Sequence, residues 1–321
     1  MSKAQDIIAA LEVMHRKEKQ GNVFKARAYA RVISAVKDFP RPIKTMDDVD
    51  QIEGVGEGIR KKIQEVLETG HLEAADKINE NGDVATTHDI LQIYGVGPAK
   101  AKAIVEAGIR SIAALRAAVA NGEVTLNEKQ KIGLKHYDDV NKRIPRDEVQ
   151  RHDRIISHAF HAVDPSFECQ VVGSFRRGAA DSGDVDVLVR GGTHELAAAI
   201  EKMRKEGYMI ETLADGPKKF MGIARCTAAA AARRIDLLLT PDNEFAFALL
   251  YFTGSDKFNV AMRKHALTKG WSLNEHGLTR MGKVRDEEVT LPDFKTEEDI
   301  FTFLGVPWVP PTERSAFPKI T

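Results

Sequence analysis

The sequence predicts a multidomain α+β protein, helical from the N-terminus to about Tyr137 and built on a sheet beyond Gln170. Three observations carry this. Apolar residues recur at helical spacing in Ile7, Ile8, Leu11 and Met14, and again in Tyr29, Val32, Ile33 and Val36. A Gly-Val-Gly turn between helical runs occurs twice, about forty residues apart. Apolar runs at Cys169–Val172, Val185–Val189 and Ile235–Leu239 then read as strands, with Ala197–Met203 as a helix among them.

A chain of 321 residues suffices for about two or three modest domains. Its 43% hydrophobic and 29% charged residues provide cores and a solvated surface. No apolar run approaches the roughly 20 residues that span a bilayer, so no membrane partner is expected. The first residues lack the apolar block of a secretory signal, and Asp6 and Glu12 do not suit a transit peptide. Cys169 and Cys226 are the only cysteines and neither has a C-x-x-C partner, so both are expected reduced in an intracellular setting. A nucleus, if the source is eukaryotic, a mitochondrion or a virus would each satisfy that setting.

Charge balances at 47 basic and 47 acidic residues, but not locally. Between His15 and Lys44, nine basic residues (Arg16, Lys17, Lys19, Lys25, Arg27, Arg31, Lys37, Arg41 and Lys44) are opposed only by Glu18 and Asp38. Such a run attracts phosphates by displacing counterions. Standing alone it is also compatible with a solvated helix face.

Pro40 and Pro42 punctuate the first helical stretch. A short helix, a glycine turn and a longer amphipathic helix follow from Gln51 to Leu67. The turn Ile52-Glu53-Gly54-Val55-Gly56 returns as Ile93-Tyr94-Gly95-Val96-Gly97, and a basic helical run follows each. Glycine lets a backbone pass close to another molecule, and the free N–H groups that open the second helix suit a phosphate oxygen. This is the helix-hairpin-helix arrangement, which grips a DNA backbone without reading its sequence. Further on, Lys142-Arg143-Ile144-Pro145-Arg146 reads as a hinge and the tail from Pro307 as irregular. Ala228–Ala232 is a low-complexity tract with no assigned role.

Asp184 and Asp186 stand two apart in a strand-like run, so both project from one face while Val185, Val187 and Val189 enter a core. A third acid, Asp236, stands alone in the apolar run Ile235–Leu239. Carboxylates this close repel unless a cation lies between them. Three acids on adjacent strands suit a pair of Mg²⁺ ions shared with substrate phosphates. Upstream, Gly173-Ser174 offers N–H and hydroxyl donors to a triphosphate, and Arg177 can neutralise its charge.

Taken together, Gly173-Ser174-Phe175-Arg176-Arg177-Gly178, Gly183-Asp184-Val185-Asp186 and Tyr251-Phe252-Thr253-Gly254-Ser255 resemble the family X DNA polymerases, most nearly their beta-type members. The resemblance runs from about residue 5 to the C-terminus and takes in both hairpins, Arg143-Ile144-Pro145-Arg146 and Asn274-Glu275. It implies a helical 5′-deoxyribose phosphate lyase domain over residues 1–80. A helical DNA-binding subdomain with the second hairpin follows over 81–142. A nucleotidyltransferase-type catalytic palm spans 143–242, and a small C-terminal α/β nucleotide-selection subdomain spans 243–321.

The resemblance also implies roles. Asp184 and Asp186 would bind both metals, and Asp236 would bind the catalytic one and take the proton of the primer 3′-hydroxyl. Ser174, Arg177, Ser182 and Gly183 would hold the triphosphate. Tyr251, Phe252 and Gly254 would pack against the sugar and disfavour a 2′-hydroxyl, Asp256 and Asn259 would contact the incoming base, and Arg263 the template strand. Gly54, Gly56, Gly95 and Gly97 would approach the DNA backbone. Lys62 falls at the Schiff-base position, with Lys25 and Tyr29 assisting and Arg60 and Lys61 supplying a cationic neighbourhood that keeps its amine partly neutral. The implied cofactors are two Mg²⁺, with Mn²⁺ as a substitute. A Na⁺ or K⁺ would bind at each hairpin, on the main-chain carbonyls of Asp50, Ile52 and Val55 and of Leu91, Ile93 and Val96. The implied partners are gapped or nicked duplex DNA, deoxynucleoside triphosphates and other repair proteins, with the chain a monomer.

Five positions depart from the family pattern. Gly58 replaces a phosphate-binding lysine, Phe24 a histidine, Leu238 an arginine, Val260 a lysine and His276 a tyrosine. The expected activity is gap-filling, template-directed DNA synthesis in base excision repair, with lyase activity. Two other classes compete with it: a template-independent nucleotidyltransferase, which shares the Gly-Ser and Asp-x-Asp core, and a non-catalytic DNA-binding protein.

Overall fold

Local chemistry sets where the first helices start. The Ser2 hydroxyl accepts from the Gln5 amide in a capping box, and the Asn22 side chain accepts from the Lys25 amide. The computed structural model describes residues 2–191, 193–281 and 291–315. Its chain clusters into two units, Met1–Tyr137 and Asp138–Thr321.

The first unit holds α1 (Lys3–Lys19), α2 (Val23–Lys37), α3 (Met46–Asp50), α4 (Glu57–Thr69), α5 (Glu73–Asn81), α6 (Asp83–Leu91), α7 (Pro98–Glu106), α8 (Ile112–Ala120) and α9 (Glu128–Lys135). A short α10 (Tyr137–Val140) straddles the boundary. The helical spacing read from the sequence is the buried face: Ile7, Leu11, Val32 and Ile63 are nearly inaccessible and pack in one cluster. Each contributes about 1.5–3 kcal/mol by leaving water. Ile90, Ile93, Ala101, Ile104 and Leu115 form a separate cluster. Both hairpins are present, joining α3 to α4 and α6 to α7. Gly54 (φ 87°) and Gly95 (φ 78°) take the left-handed backbone that turns the chain. Gly56 and Gly97 are extended N-caps with no side chain over the helix start.

The second unit runs β1 (Ile144–Pro145), α11 (Arg146–His161), β2 (Glu168–Val171), α12 (Gly173–Arg176), β3 (Asp181–Ser182), β4 (Val185–Arg190), α13 (Thr193–Lys205), β5 (Met209–Asp215), β6 (Lys219–Ala224), β7 (Arg233–Thr240), α14 (Asp242–Thr253), α15 (Asp256–Thr268), β8 (Trp271–Asn274), β9 (Gly277–Arg280) and α16 (Glu297–Leu304). The main sheet is ordered β2-β4-β7-β6-β5, with β4 and β7 parallel and the other pairs antiparallel. Strand alternation divides its faces. Val185, Val187, Val189, Ile235 and Leu237 are buried in the cluster that includes Ile156 and Phe160 of α11 and Leu196 and Ile200 of α13. Leu188 and Leu238 lie on the opposite face with Phe245 and Ala248 of α14. That second face also carries Asp186 and Asp236, beyond the cover of α14.

Three expectations need correction. Lys142–Arg146 is no free hinge, because Ile144 and Pro145 pair with Ser182 and Asp181 and the Arg146 amide donates to Ala180 O at 3.0 Å. Asp184 stands one residue before β4, not within it. The tail from Pro307 includes one 3₁₀ turn, Pro311–Glu313, and its last six residues lie outside the described ones. The sequence reading also missed β5 and β6. Their register is interrupted by shifts at Met209/Glu211 and Thr212/Ala214, which blur the period-two signal. Ala228–Ala232 lies in the β6–β7 connection, where the Ala232 amide donates to Asp139 at 3.0 Å.

Candidate active site

The parallel register of β4 and β7 places Asp186 directly opposite Asp236. Arg234, two residues before Asp236 on the same face, reaches both remaining carboxylates. Its Nη2 donates to Asp184 Oδ2, and its Nε lies 3.2 Å from Asp236 Oδ1. That second approach is too poorly aligned for a hydrogen bond, so Nε and Oδ1 are both buried without one. Lys219 Nζ stands 4.0 Å from Asp236 Oδ2. Burial, then repulsion from Asp184 and Asp236, pushes the Asp186 carboxyl up to about 7. Burial also raises Asp236, against the pull of Arg234 and Lys219.

Among the described residues no set of three acids, histidines or cysteines encloses an ion in this arrangement. The donor chemistry nonetheless fits hard divalent cations. Asp186 and Asp236 face each other across two strands, Arg234 links Asp236 to Asp184, one buried Asp236 oxygen lacks a hydrogen bond, and burial and then the neighbouring acids raise the Asp186 carboxyl. A Cβ at Gly173 (φ 61°) would come within 3.4 Å of Asp186 Oδ2, so glycine there lets the chain turn tightly over the acids.

A cleft of about 580 Å³ opens beside them, lined among others by Asp184, Asp186, Arg177, Tyr251, Gly254 and Asn259. Phe252, Asp256 and Arg234 also line it. Tyr251 and Phe252 meet edge to face at 5.1 Å, and Arg263 lies over the Tyr251 ring at 4.9 Å. Asn259 donates to Tyr251 O at 2.7 Å. Arg177 donates to Thr253 O at 2.6 Å, beside Gly254 (φ 67°) at the end of α14. The Ser174 and Ser182 hydroxyls bond to each other at 2.9 Å.

Several contributors to this geometry escaped sequence reading. Arg176 donates to Thr253 Oγ1 and to Glu297, both at 2.7 Å, and Arg314 donates to the other Glu297 oxygen at 2.5 Å. Glu297 and Arg314 are buried, and Arg314 also lies against Phe258, Phe301 and Trp308. This ion triad fastens α12 to the end of α14, α16 and the C-terminal stretch. Arg176 belongs to a quoted motif and Arg234 immediately precedes the apolar run of Asp236, but an arginine in the sequence does not announce which carboxylate it meets.

In the first unit, Lys62 Nζ donates to Gly58 O at 3.2 Å on α4. Tyr29 is buried and Lys25 exposed, one turn apart on α2. The two cations expected around Lys62 are each paired. Arg60 is bidentate to Asp50, at 2.7 and 3.0 Å, and Lys61 pairs with Glu57 at 3.0 Å, so each cation is offset by an acid.

Four family models match the chain in succession. They are the helix-hairpin-helix domain over residues 2–72, the fingers domain of DNA polymerase lambda over 88–141, the DNA polymerase beta palm over 143–242 and the DNA polymerase beta thumb over 248–315. The chain belongs to the family X DNA polymerases. It is 36% identical to DNA polymerase lambda of Rattus norvegicus over 312 residues, 92% of this chain and 53% of that protein. It is 30% identical to DNA polymerase lambda of Arabidopsis thaliana over 308 residues, 90% of this chain and 57% of the relative. It is 26% identical to the DNA-directed DNA/RNA polymerase mu of Homo sapiens over 337 residues, 92% of this chain and 66% of the relative. The chain thus spans about half to two thirds of the length of these relatives.

The departures from the family X pattern have visible settings. Leu238 packs beside Leu188 under α14, an apolar place in which an arginine would lie poorly. His276 Nδ1 lies 2.7 Å from Glu244 Oε2. Phe24 is 82% exposed and Val260 63% exposed. A Cβ at Gly58 would meet nothing within 4 Å, so its glycine leaves open space in the first turn of α4. No helix among the described residues is long and apolar enough to cross a membrane.

Proposed function

We propose that this chain is a template-directed DNA polymerase that fills short gaps in base excision repair and carries 5′-deoxyribose phosphate lyase activity on Lys62. The observation that carries the reading is the meeting of Asp184, Asp186 and Asp236 beside a cleft lined by Arg177, Tyr251 and Gly254. A divalent pair bound to these acids would stabilise the attacking and leaving oxygens of nucleotidyl transfer.

The residues of the chain do the rest. Asp236 accepts the primer 3′-hydroxyl proton at a carboxylate already raised in basicity by burial. Ser174, Ser182, Gly183 and Arg177 hold the triphosphate. The Tyr251–Phe252 pair and Gly254 lie against the sugar and disfavour a 2′-hydroxyl. Asp256 and Asn259 meet the base, and Arg263 the template strand. In the first unit the Lys62 amine adds to the C1′ aldehyde of the sugar and loses water to form an imine. Loss of the C2′ proton to a base forms a C2′–C3′ double bond and expels the C3′ oxygen with the 5′-phosphate end, and hydrolysis of the imine restores the lysine. Gly54, Gly56, Gly95 and Gly97, with Lys25 and Tyr29, bring the DNA backbone against the helices. A monovalent cation at each hairpin would use the carbonyls of Asp50, Ile52 and Val55 and of Leu91, Ile93 and Val96.

The test is a one-nucleotide gapped duplex with a 5′-phosphate, Mg²⁺ and either a deoxynucleotide or a ribonucleotide. Templated deoxynucleotide insertion, abolished by Asp236→Ala, is expected. Untemplated ribonucleotide addition, or binding without turnover, would overturn the polymerase reading. Borohydride trapping on an abasic 5′ end is expected to fail in Lys62→Ala, and unchanged trapping would remove Lys62 from its role.

A further inference from the structure

One ion pair at the rim of the proposed triphosphate cradle has no part in the reading above. Arg143 immediately precedes β1, and Asp181 opens β3, paired in register with Pro145. The Arg143 Nε and Nη2 both donate to Asp181 Oδ1, at 3.0 and 2.6 Å, and Nη2 also donates to Asp181 O at 3.1 Å. Asp181 therefore takes one whole edge of the guanidinium. The remaining nitrogen, Nη1, lies against the next turn of chain: a Cβ added to Gly183 would meet it at 3.2 Å. Gly183 follows Ser182, whose hydroxyl bonds that of Ser174. One edge of Arg143 is thus fixed by a carboxylate while the other faces the Ser182–Gly183 backbone.

We propose that Asp181 is a positioning residue for nucleotide binding: it holds the Nε–Nη2 edge of Arg143 so that Nη1 is presented to the phosphates at Ser182–Gly183. The proposal rests on the nucleotide site assigned above. Its physical basis is entropic. The side chains are more than half exposed, at 58% and 51%, so the pair adds little to folding stability. An exposed arginine loses rotamer freedom when it is fixed. An arginine already oriented by Asp181 does not bear that loss again when phosphate arrives. The planar guanidinium suits this use, since an edge bound by a carboxylate fixes the direction of the edge that remains.

The full-length protein on gapped DNA carrying a dideoxy-terminated primer gives the equilibrium Kd for the matched deoxynucleoside triphosphate, and an extendable primer gives KM and kcat. Asp181→Asn is expected to raise Kd and KM about tenfold, the scale of one charge-assisted hydrogen bond lost to disorder. Its kcat is expected to change less than twofold and its Tm not at all. Asp181→Glu should recover most of the affinity. Added to Arg143→Gln, Asp181→Asn should cost nothing more. An unchanged Kd in Asp181→Asn, losses that add independently in the double variant, or a fall in Tm without a change in Kd would each overturn the proposal. Wild-type nucleotide binding without insertion would sink the polymerase reading alone and leave this binding comparison decisive. Absence of nucleotide binding in the wild type would overturn both.

Discussion

Asp186 bears the electrostatic cost of the candidate site. Its carboxyl is raised from 3.8 to about 7 because burial and two neighbouring acids disfavour its charge. A carboxyl bound more tightly to its proton in the folded state makes stability fall as pH rises between those two values. The loss begins near pH 4 and is complete above about 7. In divalent-free buffer, Asp186→Asn is therefore expected to melt about 3 °C higher than the wild type at pH 8. The difference should shrink to nothing towards pH 4, and differential scanning calorimetry across that range checks it. His152 acts with the opposite sign. It is buried and held neutral to about 4, so its contribution is lost as pH falls from 6.5 through 4. Comparing two proteins that both retain His152 removes its effect. A wild type as stable as the variant at pH 8 would show that the acids are not crowded as described. Of this setting the sequence displayed the acids but not Arg234, whose reach from Asp184 to Asp236 depends on two strands lying side by side.

At the level of elements, the hairpins were legible because glycine has a conformational reason to be there. Gly54 and Gly95 have positive φ, and Gly56 and Gly97 open the helices that follow. Gly133 was not legible, although it is as constrained as any of them. It lies in α9, and a Cβ there would meet Tyr94 N at 2.7 Å, with Ile93 Cγ2 and Tyr94 Cβ at 3.1 Å. A backbone nitrogen cannot rotate aside, so α9 would have to lift off the second hairpin. Gly133→Ala is expected to destabilise this cluster by about 2 kcal/mol. Hydrogen exchange should show amides of α6, α7 and α9 losing protection while those of α1 and α2 keep theirs. Uniform protection in the variant would mean that the contact relaxes freely. No pattern in the sequence marks Gly133, because its constraint comes from a loop about forty residues away.

Across the whole molecule, a net charge of zero conceals a basic N-terminal stretch. Binding to DNA is expected to weaken steeply with salt, since each phosphate neutralised by lysine or arginine releases counterions. Lys25→Gln should reduce the slope of log K against log salt by about one, equally on unrelated DNA sequences. Fluorescence anisotropy between low and physiological salt measures it, and an unchanged slope would remove Lys25 from the DNA contact. What the sequence by itself determined follows from local constraints. Helical spacing marked the buried faces, glycine pairs marked the hairpins, and the motif acids and the Tyr-Phe-Thr-Gly-Ser run marked the family. What only the tertiary structure decided depends on partners far apart in the chain. Such are the closure of Glu297 on Arg176, the reach of Arg234 to Asp184 and the hold of Asp181 on Arg143. The physical reason is that backbone preference acts over a few residues, whereas a charge or a side-chain volume acts on whatever the fold brings within a few ångströms.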